Sequence, residues 1–238
     1  MKKEILIFGD GASRGNPGPG GYGVIISLPN GDVFELGGRK AKSTNNIMEL
    51  SSAVSALEYL KKKKVSSLMP IRFVTDSSYL ANGASKWVYA WQKNKWITSQ
   101  KEKVLNKNLW QKILTLSKGR KINWEIVKGH SGFGPNERCD EIATSFADKA
   151  KIKLFSGKIS DYGISLDEKP KIYTHSSSSK TNNQKKTAYS YVSLVNGVVQ
   201  THKTWAECEK RVKGVSATKY KKVFSAEEEA SLIKEWSK

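Results

Sequence analysis

Apolar residues first gather in short runs separated by turn-forming residues. One run covers residues 4–8, a second residues 22–28, and a third residues 33–36; the Gly/Pro-rich stretch 15–21 divides the first two, and Asn30-Gly31 precedes the third. Runs of this length bounded by Gly, Pro and Asn predict an antiparallel meander. The period then changes. Ile47, Leu50, Val54 and Leu57 recur at helical spacing, and the lysines at 61–64 suit a helix C-terminus. A short buried strand is predicted at 71–75, then a Trp-rich helical region, a strand at 122–127 and a helix over 136–149. The string βββαβ…αβα predicts an α/β fold, a mixed five-stranded sheet with flanking helices.

Apolar periodicity stops between Gly163 and Thr187, where residues 175–186 are polar and low in complexity. Such a stretch buries too little to order itself, so it is expected to be a flexible linker between domains at 1–162 and 188–238. Beyond it, Asn196-Gly197 sits between two apolar runs and predicts a β-hairpin. Residues 204–212 form a helical pattern with Trp205, Cys208 and Val212 on one side. A strand follows at 219–224, and Ser225 with Glu228 forms a capping box for a last helix. The tail is therefore expected to be a small ββαβα domain.

Composition narrows the partners. The chain has 238 residues, with 41 Lys and Arg against 22 Asp and Glu, a formal net charge of +19. Clustered cations bind polyanions by neutralising phosphates and releasing counterions, although a basic surface can also serve solubility alone. No apolar run approaches the ~18 residues of a membrane span, and the first apolar stretch is too short for a secretory signal. The two cysteines, Cys139 and Cys208, are far apart in sequence and form no CxxC, which disfavours a disulfide framework and a thiolate zinc site. A cytoplasmic setting and no membrane partner are expected.

Residues 18–23 match GxGxxG, but a β-rich run follows them where a dinucleotide site needs a helix, so these glycines are assigned to tight turning. Four acids deserve more weight. Asp10 and Asp76 each end a predicted strand, Glu49 opens the first long helix, and Asp140 lies in the helix at 136–149. Each has a plain alternative: a turn residue for Asp10, a capping box from Glu49 to the Asn46 amide, a solvated helix position for Asp140. Parallel strands that end at one sheet edge would nevertheless make Asp10 and Asp76 neighbours, at the edge where such folds bind ligands.

Five blocks around these acids resemble the type 1 ribonucleases H: Phe8-Gly9-Asp10-Gly11, the glycine-rich residues 15–23, Thr44 to Leu50, Val74 to Ser77, and Val127 through Glu141. The resemblance covers about residues 3–150. It implies an endonuclease that hydrolyses the RNA strand of RNA–DNA hybrids, with Asp10, Glu49, Asp76 and Asp140 ligating two Mg²⁺ ions and leaving 5′-phosphate and 3′-hydroxyl ends. Clustered carboxylates require neutralising cations, and an oxygen-only donor set suits Mg²⁺, with Mn²⁺ able to substitute. His130 matches the residue that moves protons or helps product leave.

The same resemblance assigns Asn16, Asn45 and Asn46 to the minor groove, where 2′-hydroxyls distinguish the strands. Lys42, Thr44 and Asn106 match a phosphate pocket, with Lys42 standing where Arg is more usual. Asn136 joins them as a substrate contact. Lys86, Trp87, Lys93 and Lys95 match a basic protrusion that grips the DNA strand, although Trp87 and Trp91, four apart on a helix, also suit core packing. Gly9, Ser13 and Ser78 depart from the family's common residues, which bears on substrate preference.

The tail resembles the hybrid-binding domain that usually precedes such catalytic domains. Tyr191, Trp205, Tyr220, Lys221 and Lys222 match its nucleic-acid contacts, and Trp205 and Tyr220 could equally be the core of a small domain. The expected partner is an RNA–DNA hybrid, with double-stranded RNA a second candidate ligand of the tail, and the protein is expected to be a monomer. Two rival readings are a non-catalytic binder of hybrids or double-stranded RNA and a strand-transfer enzyme of the integrase type. Retention of all four carboxylates opposes the first; the Asn45-Asn46 pair, the protrusion and the tail oppose the second.

Overall fold

The computed structural model describes residues 4–129, 131–166, 189–213, 215 and 218–236. The chain divides into two compact units, Met1–Thr174 and His175–Lys238. The first holds a mixed sheet of β1 (Ile5–Ser13), β2 (Gly18–Ser27), β3 (Asp32–Ser43), β4 (Ile71–Thr75), β5 (Ile122–Ile126) and β6 (Ser156–Lys158), in the order β5-β4-β1-β2-β3-β6. The meander β1-β2-β3 is antiparallel, whereas β1, β4 and β5 run parallel. The expected mixed α/β sheet is present, with one strand more than the five anticipated. Ser156–Lys158 has no apolar side chain to mark it, and it is held by pairing with Asp32–Phe34 and by a 2.6 Å ion pair from Lys158 to Asp32.

Both faces of this sheet are covered, which is why β1 reads as an unbroken apolar run. Ile5 and Ile7 join a cluster with Leu50, Leu57, Phe73 and Trp110. Leu6 and Phe8, pointing the other way, join Ile25, Val74, Cys139, Tyr162 and Leu166. Helix α1 (Asn45–Lys62) and α4 (Lys107–Ser117) supply residues to the first cluster, and α5 (Gly134–Asp148) to the second. The Trp-rich region resolves into α2 (Ser78–Asn82), a π-helical turn at Gly83–Trp87 and α3 (Val88–Lys93).

Several sequence expectations need correction. β1 does not end at Asp10. Its pairing with β4 stops at Phe8 opposite Val74, but its pairing with β2 continues to Ser13, with Asp10 opposite Gly23. β3 outruns its apolar segment because Gly37, Gly38, Arg39 and Lys40, none with an apolar side chain, are held by register with β2. Glycines 20, 21 and 23 lie inside β2. A Cβ on Gly23 would stand 2.2 Å from the Cys139 carbonyl oxygen, so this glycine lets α5 close on the sheet. Ile164 and Leu166 pack into the second cluster, so the first unit extends past Gly163; residues 167–187 of the expected linker lie outside the described residues.

α5 is tied down at its far side by a buried ion pair. Arg138 donates Nε and Nη2 to the two oxygens of Glu35 on β3, each at 2.8 Å, and Nη2 also reaches the Lys153 carbonyl at 2.9 Å. Tyr162 Oη and the Phe155 amide complete the carboxylate's partners at 2.7 and 2.9 Å. These donors hold the Glu35 carboxyl below its usual range despite burial, which alone would raise it.

The second unit contains β7 (Ser190–Val195), β8 (Val198–His202), α6 (Trp205–Val212), β9 (Lys219–Val223) and α7 (Ala226–Trp236), with strand order β8-β7-β9. This is the expected ββαβα arrangement. Val192, Val223 and Leu232 form its core, and Thr204 with Glu207 closes a capping box at the start of α6. Among the described residues no helix is long and apolar enough to cross a membrane.

Arg138→Leu should cost about 3 kcal/mol or more, because Glu35 would remain buried without its countercharge, whereas Glu35→Leu combined with Arg138→Leu should recover much of that loss. Urea unfolding of the two single variants and the double variant measures the coupling; strict additivity would show that the pair does not act as a unit.

Candidate active site

Asp10 and Asp76 arrive at one place through strand register. Phe8 pairs with Val74 across parallel strands, and each acid lies two residues further along its own chain. Glu49 comes from the opening turns of α1, which is capped by Thr44: its Oγ1 accepts from the Ile47 amide at 3.3 Å. The anticipated Asn46–Glu49 capping box is therefore not formed, and the Glu49 side chain is directed to the acids instead. The contact is close because of Gly11, where a Cβ would stand 2.2 Å from the Glu49 backbone nitrogen.

One oxygen each from Asp10, Glu49 and Asp76 lies within 4.8 Å of the others. Asp10 is 7 % exposed and Glu49 8 %. Asp140, half-buried on α5, is outside this group, so three of the four expected ligands are gathered and the fourth stands further off; its charge nevertheless raises the Asp10 carboxyl. Burial, then the Asp76 charge, push Asp10 from 3.8 to about 7, even though the Gly11 amide donates to its Oδ1 at 2.7 Å. Burial and the two aspartates push Glu49 well above its ordinary range. Glu49 Oε2 is buried without a hydrogen-bond partner. A cluster of oxygen donors with an orphaned buried oxygen and two reluctant anions fits a hard divalent cation.

Asn136, expected as a substrate contact, is 4 % exposed, and its Nδ2 donates to Asp76 Oδ2 at 3.2 Å, a bond that positions this carboxylate. Its place at the start of α5, in sequence close to Asp140, was the available signal. His130 lies outside the described residues.

The other expected contacts distribute over the surface of the same unit. Asn16, Asn45 and Asn46 are exposed, and the Asn45 amide donates to Asn16 Oδ1 at 3.3 Å, which joins the β1–β2 turn to the start of α1 beside Glu49. Lys42 is exposed at the end of β3, and Thr44 spends its acceptor on the helix cap while keeping a hydroxyl proton to donate. Asn106 adopts a left-handed backbone at the start of α4 and donates to Tyr79 Oη at 3.4 Å. Lys86, Lys93 and Lys95 are exposed, and Trp87, 40 % exposed, leans on Tyr79 and Trp91 with ring centres 6.4 and 5.9 Å away. Trp91 in turn packs on the buried Trp110, so core packing accounts for Trp91 and only partly for Trp87.

In the second unit Trp205 is 38 % exposed and stands between Tyr191 and Tyr220, with ring centres 5.7 and 5.3 Å away. Its ring lies outside the apolar core. Strand alternation separates the two lysines. Lys222 is opposite Tyr191 and shares a face with Tyr220, whereas Lys221 is opposite the buried Val192 and lies 3.9 Å from Glu228.

A mixed sheet presenting buried acids where two parallel strands stop pairing defines a class of metal-dependent hydrolases. The family model described as RNase H matches residues 2–148, and the model described as the ribonuclease H1 N-terminal domain matches residues 197–232. The chain is 44 % identical over 148 residues to the ribonuclease H of Cyanothece sp., covering 62 % of this chain and 92 % of that one. It is 46 % identical over 143 residues to the ribonuclease H of Mesorhizobium japonicum, covering 60 % and 77 %. The crystal structure of LC9-RNase H1, a type 1 RNase H with the type 2 active-site motif, superposes with a TM-score of 0.57 at 25 % identity, over 70 % of this chain and 83 % of that one. The chain belongs to the ribonuclease H family. It is a metal-dependent endonuclease of the RNA strand in RNA–DNA hybrids, as that family is.

The acid cluster gives a pH dependence whose sign can be worked out. Above about pH 4 the unfolded chain releases the Asp10 proton, while the folded metal-free protein keeps it until about pH 7. Stability in EDTA should therefore fall as pH rises between those values, and saturating Mg²⁺ should restore it. Thermal unfolding across pH should show a flatter profile for Asp10→Asn than for the wild type in EDTA; parallel profiles would rule out Asp10 as the source.

Proposed function

We propose that Asp10, Glu49, Asp76 and Asp140 hold two Mg²⁺ ions, with Mn²⁺ as a substitute, and that this cluster cuts RNA to 5′-phosphate and 3′-hydroxyl ends. The observation that carries this reading is the unpartnered, buried Glu49 Oε2 within an all-oxygen group of three carboxylates. When bound, such ions supply positive charge that activates the attacking water and stabilises the leaving 3′-oxygen of an in-line displacement. The protein's part is to fix the acids: strand register sets Asp10 against Asp76, Gly11 admits Glu49, and Asn136 orients Asp76. His130 is assigned the movement of a proton at the leaving or attacking oxygen or help in product release, roles to which the imidazole side chain is suited.

Substrate choice is assigned to side chains around that edge. Asn16, Asn45 and Asn46 offer amides to the 2′-hydroxyls of the RNA strand. Lys42, Thr44 and Asn106 receive a phosphate of the DNA strand, and Lys86, Lys93 and Lys95 with Trp87 extend the grip along it. Tyr191, Trp205, Tyr220, Lys221 and Lys222 of the second unit hold the same hybrid, with double-stranded RNA as a further ligand of that unit. The working form is a cytoplasmic monomer.

Asp76→Asn should abolish Mg²⁺-dependent cleavage of a labelled hybrid while leaving its binding in place, because one ligand is lost and the basic contacts are not. Cleavage near the wild-type rate would remove Asp76 from the centre. A separate expectation concerns the second unit. Ending the chain after Leu166, which keeps the first unit's core whole, should raise KM on long hybrids and leave kcat on short ones nearly unchanged, and Trp205→Ala should do the same. Equal KM values for the full and shortened chains on long hybrids would show that the second unit adds no grip.

A further inference from the structure

The second unit carries an exposed aromatic ring that none of the assigned contacts uses. Phe224, immediately after β9, is 49 % exposed. Its backbone is fixed, since its amide donates to the Glu228 carboxylate at 2.9 Å. The ammonium of Lys222 lies 5.0 Å from the centre of its ring, which places the ring on the side of β9 that carries Lys222. Tyr220, 55 % exposed, occupies the same face two residues earlier and packs on Trp205.

A purely structural role would make Phe224 the apolar residue ahead of the cap of α7, where such a residue packs against the fourth residue of the helix. Ser225 accepts from the Glu228 amide and is the cap, so that fourth residue is Glu229, an acid. The ring has no apolar partner there. What it has is a cation, and Lys222 makes no ion pair among the described residues, whereas Lys221 lies beside Glu228. An aromatic ring beside an unpaired ammonium suits the backbone of a nucleic acid, in which sugars alternate with phosphates.

We propose that Phe224 extends the aromatic strip of Trp205 and Tyr220 further along the nucleic-acid strand, its ring packing on a sugar of the bound duplex while Lys222 turns from the ring to a phosphate between. At about 3.3 Å of extended chain per residue, Tyr220 and Phe224 stand roughly 13 Å apart at most, which leaves Lys222 between the two rings. The inference rests on the reading of the second unit as a duplex-binding module.

The test uses the full chain and a hybrid in Ca²⁺ or EDTA, so that binding is read without cleavage. Phe224→Ala should weaken binding roughly 3- to 10-fold, the cost of leaving half a phenyl ring unburied. Phe224→Trp should bind like the wild type. The slope of log K against log salt should stay unchanged in Phe224→Ala and fall by about one in Lys222→Gln. Phe224→Leu keeps apolar bulk, and hence the fold of the unit, without a flat face; it should also bind more weakly than the Trp variant.

Wild-type binding by Phe224→Ala and Phe224→Leu would overturn the proposal, as would equal weakening in the Trp variant. If Trp205→Ala weakens binding and Phe224→Ala does not, the strip ends at Tyr220 and the module stands. If neither variant changes binding, the module reading fails with it. Capture of an acidic protein by this face, with hybrid binding unaffected by the same substitutions, would assign the ring to a protein partner instead and reject the proposal.

Discussion

The catalytic unit depends on holding two carboxylates, Asp10 and Glu49, out of water and within reach of a third. Left to itself that arrangement is unfavourable: burial raises both groups, and each charge raises the others. It persists because the framework around it cannot easily move. β1 is packed on both faces, α1 is brought against it at Gly11, and the Glu35–Arg138 pair holds α5 to the far edge of the sheet. The crowding can be relieved by a proton or by a divalent cation, and the unpartnered Glu49 Oε2 suits the second.

The same constraint explains why so few polar residues are needed at the centre. Strand register, which is set by the apolar cores, already places Asp10 beside Asp76. Asn136 then adds a single hydrogen bond, and its remaining buried oxygen, Oδ1, has no partner. The side chains proposed to contact substrate are of a different kind: Asn16, Asn45, Asn46, Lys42, Lys86, Lys93 and Lys95 are exposed, where a change costs little stability.

How much of this could be read from the sequence follows from which signals are local. The strand at residues 71–75 and the helix from Ile47 were legible because apolar spacing alone defines them, and the three acids that the structure gathers, Asp10, Glu49 and Asp76, were legible through the blocks that surround them. Other features depend on contacts distant in sequence. The short strand at Ser156–Lys158 is held by its neighbour and has no pattern of its own. Gly23 looks like a turn residue until Cys139, more than a hundred positions later, is seen against it. That Asn136 is buried and bonded to Asp76 depends on a contact sixty positions away, which no local pattern announces. The cap at Thr44 rather than Asn46 turns on a shift of two residues, which propensity does not resolve.

β1 is zipped to neighbours on both sides as far as Phe8 and on one side only from there to Ser13. A ribbon held along one edge twists more readily than one held along both. Asp10 lies just beyond that boundary, at the root of the compliant half. The sheet therefore mounts this carboxylate where the strand changes from two partners to one, and the Gly11 amide at 2.7 Å, rather than a second strand, fixes the group itself.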